Sequence, residues 1–343
     1  MKKRILSGMR PTGKLHLGHL VGALDNWVKL QDEYDCFFMV ADWHALMSEY
    51  ENTADLSACA VDNVIDWVSA GLDPDKSTLF IQSEVTPHLD LYMIFSCFTP
   101  LGWLERCPTY KEQLREIKTR NLNTCGFLGY PVLQAADILL YKAEKVPVGE
   151  DQLPHLELTR EIARRFNSLY PVRKNTSGDI KFSNGVYKKE IFPDPSAILT
   201  ETPRLLGLDG RKMSKSYDNT INLGDCEETI KKKISNMFTD PKRIKLTDKG
   251  HPNVCNVFSY YSVFIPEIKE EAYDSCTNAK LGCTQCKQRL SLGLIERLKP
   301  FHKRRQELLK DKPKIKKILE EGKQKALFIA TNTLKEVREA MGL

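Results

Sequence analysis

His16 and His19 stand three residues apart in the segment PTGKLHLGHLVGA, Pro11 to Ala23, with Gly18 against the second ring. Imidazole N–H groups so placed can stabilise the charge that builds on a phosphoryl group under attack, and Gly18 lets a phosphate or a purine ring approach the backbone. Taken alone, the pattern also fits two ordinary loop histidines. A second stretch, RKMSKS at Arg211 to Ser216, follows PRLLGLDG. It sets Lys212, Lys215 and two hydroxyls on a glycine-flanked loop whose backbone N–H groups are free for phosphate. Between the two, YPVLQAADILLY spaces Tyr130, Gln134 and Asp137 four and three residues apart, on one face of a helix, where they can converge on one ligand. A carboxylate at Asp137 accepts from an indole N–H or from a phenol O–H, so it does not choose between them. Four of the ten cysteines, Cys255, Cys276, Cys283 and Cys286, follow the pattern C-x20-C-x6-C-x2-C. Four thiolates with a closing C-x2-C hold either tetrahedral Zn2+ or a 4Fe-4S cluster.

These groups need a sheet edge to hold them. Arg4 to Ser7 reads as a short strand, followed by a Gly/Pro turn and a helix starting near Gly18 with Leu20, Leu24, Trp27 and Leu30 on one stripe. Cys36 to Ala41 reads as a buried strand. Leu56, Ala60, Val64 and Val68 form the next helical stripe, closed by Gly71, and Thr78 to Ile81 is another strand. This alternation predicts an α/β fold, a Rossmann-like, doubly wound parallel sheet with His16 and His19 at its carboxyl edge, where such folds bind ligands. After about Gly224 the strand signals fade into long charged helical stretches. The expected division is a catalytic domain over 1–224 and a mainly helical domain over 225–343.

Composition narrows the function classes. With 343 residues, 41% hydrophobic and 28% charged, the chain is long enough for a real core and is neither disordered nor a stapled mini-protein. No apolar run suggests a membrane span, and the apolar stretch after MKKR is too short for a signal peptide, so a cytoplasmic protein with reduced or metal-bound cysteines is expected. The net charge of +6 is uneven: Cys226 to Leu343 carries 25 Lys and Arg against 15 Asp and Glu, the remainder 26 against 30. The runs Lys231 to Lys233, Lys242 to Lys245, His302 to Arg305 and Lys314 to Lys317 suit a polyanion such as nucleic acid.

The His-x-Gly-His and Lys-Met-Ser-Lys-Ser segments, in this order, resemble the two signatures of the class I aminoacyl-tRNA synthetases, the first lacking only the isoleucine usual at Leu17. VPVGEDQLPHLELTR (Val146 to Arg160), the early SGMRPTG, FIQSEV and the overall length resemble the tryptophanyl-tRNA synthetases across essentially the whole chain. Gln134 stands where many of those enzymes have Met and the related tyrosyl enzymes have Gln. The resemblance implies activation of L-tryptophan with ATP and Mg2+, transfer to tRNA(Trp), and a homodimer in which the helical part binds the anticodon. It implies His16 and His19 at the α-phosphate and Lys212 and Lys215 at the departing pyrophosphate. It also puts Gly18, Met213, Ser214, Gly149 and Asp151 at ATP, with Arg10, Thr12 and Lys111 as further phosphate contacts. The amino-acid pocket would take Leu6, His44, Gln134 and Asp137, with Tyr130 and Gln152 on the amino group, while His155 is structural. A subset of the bacterial tryptophanyl enzymes has a similar four-cysteine pattern binding a 4Fe-4S cluster, which favours that cluster over Zn2+. A tyrosyl-type synthetase, a small nucleotidyltransferase and a non-catalytic RNA-binding paralogue are the other readings.

Overall fold

The computed structural model describes residues 2–116, 121–173, 188–199 and 205–343. Its strands are β1 (Arg4–Met9), β2 (Asp35–Val40), β3 (Ser77–Ile81), β4 (Lys145–Val148), β5 (Val172–Arg173), β6 (Lys188–Lys189) and β7 (Ser196–Leu199). Five of them form one sheet in the order β3-β2-β1-β4-β7, every neighbouring pair parallel, while β5 and β6 pair antiparallel apart from it. Helices cover both faces, so β2 buries Cys36, Phe37, Phe38, Met39 and Val40 in unbroken succession. Each fully buried phenylalanine contributes about 1.5–3 kcal/mol. The first strand outruns its sequence signal because Gly8 and Met9 still pair with Met39 and Val40.

β1 has β2 on one side and β4 on the other, so the sheet reverses its direction of growth there and leaves a crevice beyond the carboxyl ends of β1 and β4. The chain leaves β1 into Leu17–His19, a wide π turn over Leu20–Leu24, and the helix Asp25–Leu30. Leu20, Leu24, Trp27 and Leu30 are all buried, as their spacing predicts, and Trp27 stacks on Phe38 with ring centroids 4.5 Å apart. The helix Leu56–Ala70 stops at Gly71, whose φ of 121° is open to glycine. Of the expected stripe, Ala60 and Val64 are buried while Leu56 and Val68 are half-buried; Asn63, Ile65, Asp66 and Trp67 are buried as well, where the helix Cys283–Lys310 packs alongside and Trp67 meets Trp27 edge-on.

No strand follows Leu199 among the described residues; the C-terminal region is helical and ends in Cys283–Lys310 and Lys312–Met341. It does not stand apart. One apolar cluster joins Ile5, Trp27 and Val64 to Tyr261, Leu294 and Ile318, and the last helix lies across β3. A Cβ at Gly322 would come within 1.9 Å of the Leu79 carbonyl oxygen, so this crossing requires glycine. Among the described residues, no helix is long and apolar enough to cross a membrane.

Candidate active site

The crevice opens into a cavity of about 340 Å³. Leu6 and Gly8 of β1, Val146 and Val148 of β4, and Tyr130, Gln134 and Asp137 of the helix Cys125–Leu140 wall it. That helix starts at Thr124, whose hydroxyl accepts from the Phe127 N–H, and it buries most of its surface under the sheet, which carries its polar residues to the cavity. Arg10, His44, Gly149 and Gln152 complete the expected set of lining residues.

Asp137 is 2% exposed, and both of its oxygens are paired. Its Oδ1 accepts from Gln82 Nε2 at 2.8 Å and pairs with His88 Nδ1 at 2.6 Å, and its Oδ2 pairs with His44 Nε2 at 2.7 Å. His88 is held in turn by the Tyr141 hydroxyl at 2.8 Å. Burial by itself would raise this carboxyl, but the hydrogen bonds from His44 and His88 outweigh it and hold the pKa down to about 2. Asp137 is therefore an ionised acceptor, and a carboxylate's roughly four lone-pair sites leave one for a ligand donor.

The phosphate-binding motifs meet at the other end. Leu17 N–H donates to the Ile221 carbonyl and Leu223 N–H to the Leu15 carbonyl, so the segment after RKMSKS is stitched to the segment before Gly18. Lys215 Nζ reaches the Thr12 carbonyl oxygen at 3.2 Å. The rings of His16 and His19 lie 3.9 Å apart. His16 Nδ1 accepts from Gly18 N–H at 3.1 Å and His19 Nδ1 accepts from His16 N–H at 3.2 Å, so each ring keeps its proton on Nε2. A Cβ at Gly18 would sit 2.9 Å from His16 Cε1, a second reason for glycine there. Burial, then the Lys215 charge, lowers His16 to about 4, and burial with the neighbouring His16 and Lys215 lowers His19 well below its ordinary range. Both act as neutral donors at neutral pH. Burial and then Arg10 also lower Lys215. Cations crowded into a partly desolvated corner, beside two imidazole N–H groups, form a site suited to a polyphosphate.

Residues 1–299 match the family described as tRNA synthetases class I (W and Y). The chain belongs to this family. Among relatives, it is 48% identical over 345 residues to the tryptophan–tRNA ligase of Thermotoga maritima, covering 99% of each chain. It is 43% identical over 411 residues to that of Aquifex aeolicus, covering 99% of this chain and 100% of the other. Its fold superposes on a Campylobacter jejuni tryptophanyl-tRNA synthetase complexed with ADP and tryptophan at a TM-score of 0.85 and 34% identity, covering 99% and 100% of the two chains.

For a class I synthetase of this family, the structure gathers most expected residues and leaves some outside. Lys212 is exposed, its carbonyl held by Asn219 Nδ2 at 3.0 Å; Ser214 N–H donates to Asn219 Oδ1 at 2.8 Å, and Met213 is buried against Gly18. Asp151 is exposed outside the cavity wall and accepts from Gln152 Nε2 at 2.9 Å. Lys111, on the helix Pro108–Glu116, is exposed and does not line the cavity. The side chain of Ser216, and Pro203 and Arg204 before the loop, lie outside the described residues. Gln82, His88, Tyr141 and Asn219 escaped the sequence reading. Gln82 sits inside FIQSEV, where a polar residue ending an apolar strand was its only signal.

The basic run at His302 to Arg305 is split by the fold: His302 Nε2 donates to the Leu223 carbonyl at 2.8 Å, and Arg305 pairs with Asp62 and Asp66, leaving Lys303 and Arg304 exposed. Cys255, Cys276, Cys283 and Cys286 all line one small pocket with Arg243, whose Nη1 is 3.8 Å from Cys276 Sγ. Among the described residues, no three His, Cys, Asp or Glu side chains are placed to ligate a single metal ion.

Proposed function

We propose that the protein is a tryptophan–tRNA ligase, activating L-tryptophan with ATP and transferring it to tRNA(Trp). The observation that carries this is the meeting of both phosphate-binding motifs with a cavity of amino-acid size whose wall presents an ionised, buried acceptor. The tryptophan carboxylate attacks the α-phosphorus, the bond to the β-phosphate breaks, and pyrophosphate leaves. A hydroxyl of the tRNA 3′-terminal ribose then attacks the activated carbonyl and AMP departs. No side-chain nucleophile is needed, because positioning and charge stabilisation carry such reactions. His16 and His19 donate Nε2–H to the α-phosphate, Lys215 and Lys212 stabilise the pyrophosphate, and Arg10, Thr12, Gly18, Met213, Ser214, Gly149 and Asp151 hold ATP. Mg2+ enters on the ATP phosphates, which suits its preference for phosphate oxygens and water. Asp137 receives the indole N–H, Leu6, His44 and Gln134 line the ring site, and Tyr130 and Gln152 hold the amino group.

ATP–pyrophosphate exchange tests the substrate. Exchange is expected with tryptophan and at least about tenfold less with tyrosine or phenylalanine, whose rings leave the indole acceptor or the cavity poorly matched. Faster exchange with tyrosine, to which Gln134 points, overturns the assignment.

The region 225–343 is read as the anticodon-binding part of a homodimer, supported by its excess of basic residues. Its four cysteines are read as holding a 4Fe-4S cluster, supported by their convergence on one pocket where Arg243 adds an N–H donor toward sulfur. These cysteines would hold such a cluster as a cross-link within the basic region, with no part in the reaction. Anaerobically purified protein should be brown with about four iron per chain. Cys283→Ser or Cys286→Ser should bleach it, leave adenylate formation intact, and make tRNA charging weaker and more salt-sensitive. Colourless protein carrying Zn2+ rejects the cluster and leaves the ligase standing.

A further inference from the structure

One buried group in the cavity wall has no task in that mechanism. His155, on the helix Leu153–Leu169, is 1% exposed. Its ring meets Tyr130 edge-on with centroids 5.2 Å apart, and its Nε2 lies 2.6 Å from the Tyr130 hydroxyl. Both residues face the cavity, and His155 Nδ1 has no partner among the described residues.

We propose that His155 is a positioning residue for recognition of the α-ammonium: by accepting the Tyr130 O–H at Nε2, it turns the phenol oxygen's lone pairs toward the substrate. The inference rests on the reading of Tyr130 as a contact of the amino group. An ammonium offers three donors and no acceptor, so a tyrosine that faced it with its own proton would repel it. The proton must therefore be drawn elsewhere. A phenol is a stronger acid than a neutral imidazole N–H, so in the short O···N contact the oxygen donates and the ring nitrogen accepts. Another polar neighbour of the phenol, the Cys107 thiol, is a weak acceptor, and the Arg10 guanidinium has no acceptor to offer. Burial holds His155 down to about 4, the nearby Asp151 notwithstanding, so its Nε2 lone pair is available at neutral pH. Nδ1 has no partner among the described residues in either tautomer, so the phenol decides which nitrogen carries the proton.

The experiment compares tryptophan with indole-3-propionate, which keeps the indole and carboxylate and lacks the amino group. His155→Phe keeps ring bulk and removes the acceptor. It should weaken tryptophan binding and raise its KM about tenfold, with kcat and the KM for ATP within about twofold, because one hydrogen bond to a charged group is misdirected. Binding of indole-3-propionate should be unchanged. His155→Gln, whose amide oxygen reaches the Nε2 position, should restore most of the tryptophan affinity. In a Tyr130→Phe background, His155→Phe should add nothing. Equal weakening of both ligands, or additivity with Tyr130→Phe, reduces His155 to packing and overturns the proposal. Nitrogen-15 histidine spectra of the unmutated protein with tryptophan bound give a reading independent of any variant's folding: the proton belongs on Nδ1, and finding it on Nε2 overturns the proposal. Failure of the unmutated protein to bind tryptophan would instead sink the substrate reading first, and this inference with it.

Discussion

Lys215→Ala is expected to slow adenylate formation by about two orders of magnitude or more while tryptophan affinity stays within about twofold. Lys215 lies outside the amino-acid cavity, reaches across to the Thr12 carbonyl, and has its ammonium depressed by burial and by Arg10. A cation held in that state gains most when negative charge arrives and grows beside it, as it does when the bond to pyrophosphate breaks. Its contribution is therefore concentrated in the transition state and shows in kcat more than in ground-state binding. Single-turnover adenylate formation, with calorimetry for tryptophan, checks this. Equal losses in rate and tryptophan binding would show that Lys215 props up the whole site rather than the departing phosphates.

Asp137→Ala should combine a stability loss with a recognition loss. Removing the carboxylate strips the acceptor from Gln82, His44 and His88 at once, at a position only 2% exposed. Breaking a buried, hydrogen-bonded charge cluster costs about 3–5 kcal/mol, read as a lower urea midpoint at an unchanged slope. In the folded fraction, the ligand indole N–H loses its acceptor, weakening tryptophan by at least about tenfold. The linkage runs with the depressed pKa: unfolding raises the Asp137 pKa from about 2 toward 3.8, so its contribution is full above pH 3.8 and fades as pH falls through about 2. The variant should lack that part of the acid transition. An unaltered midpoint would mean that His44, His88 and Gln82 find other partners, and the network would not be what holds this wall.

The chemistry-bearing residues were legible because short motifs carry their geometry locally. His16, Gly18 and His19 make their mutual contacts within four residues, and Tyr130, Gln134 and Asp137 share a helix face by periodicity alone. The strand and helix alternation likewise predicted a parallel sheet, since buried runs and amphipathic stripes are local records of what covers each element. What tertiary structure decided was every pairing across long sequence separations. Asp137 is ionised because His44 and His88 come from elements 93 and 49 residues away. Lys215 faces His16 because the segment after it pairs with the one before Gly18, and Arg305 turns inward because Asp62 and Asp66 lie 243 and 239 residues earlier. The expected boundary at residue 224 crosses a continuous apolar core for the same reason: the last helix closes over β3, where only a glycine at position 322 lets the backbones touch. Periodicity and spacing report which side of an element is buried, but not against what. Charge state, side-chain direction and domain contact depend on that partner, and so they emerge only once the chain has folded.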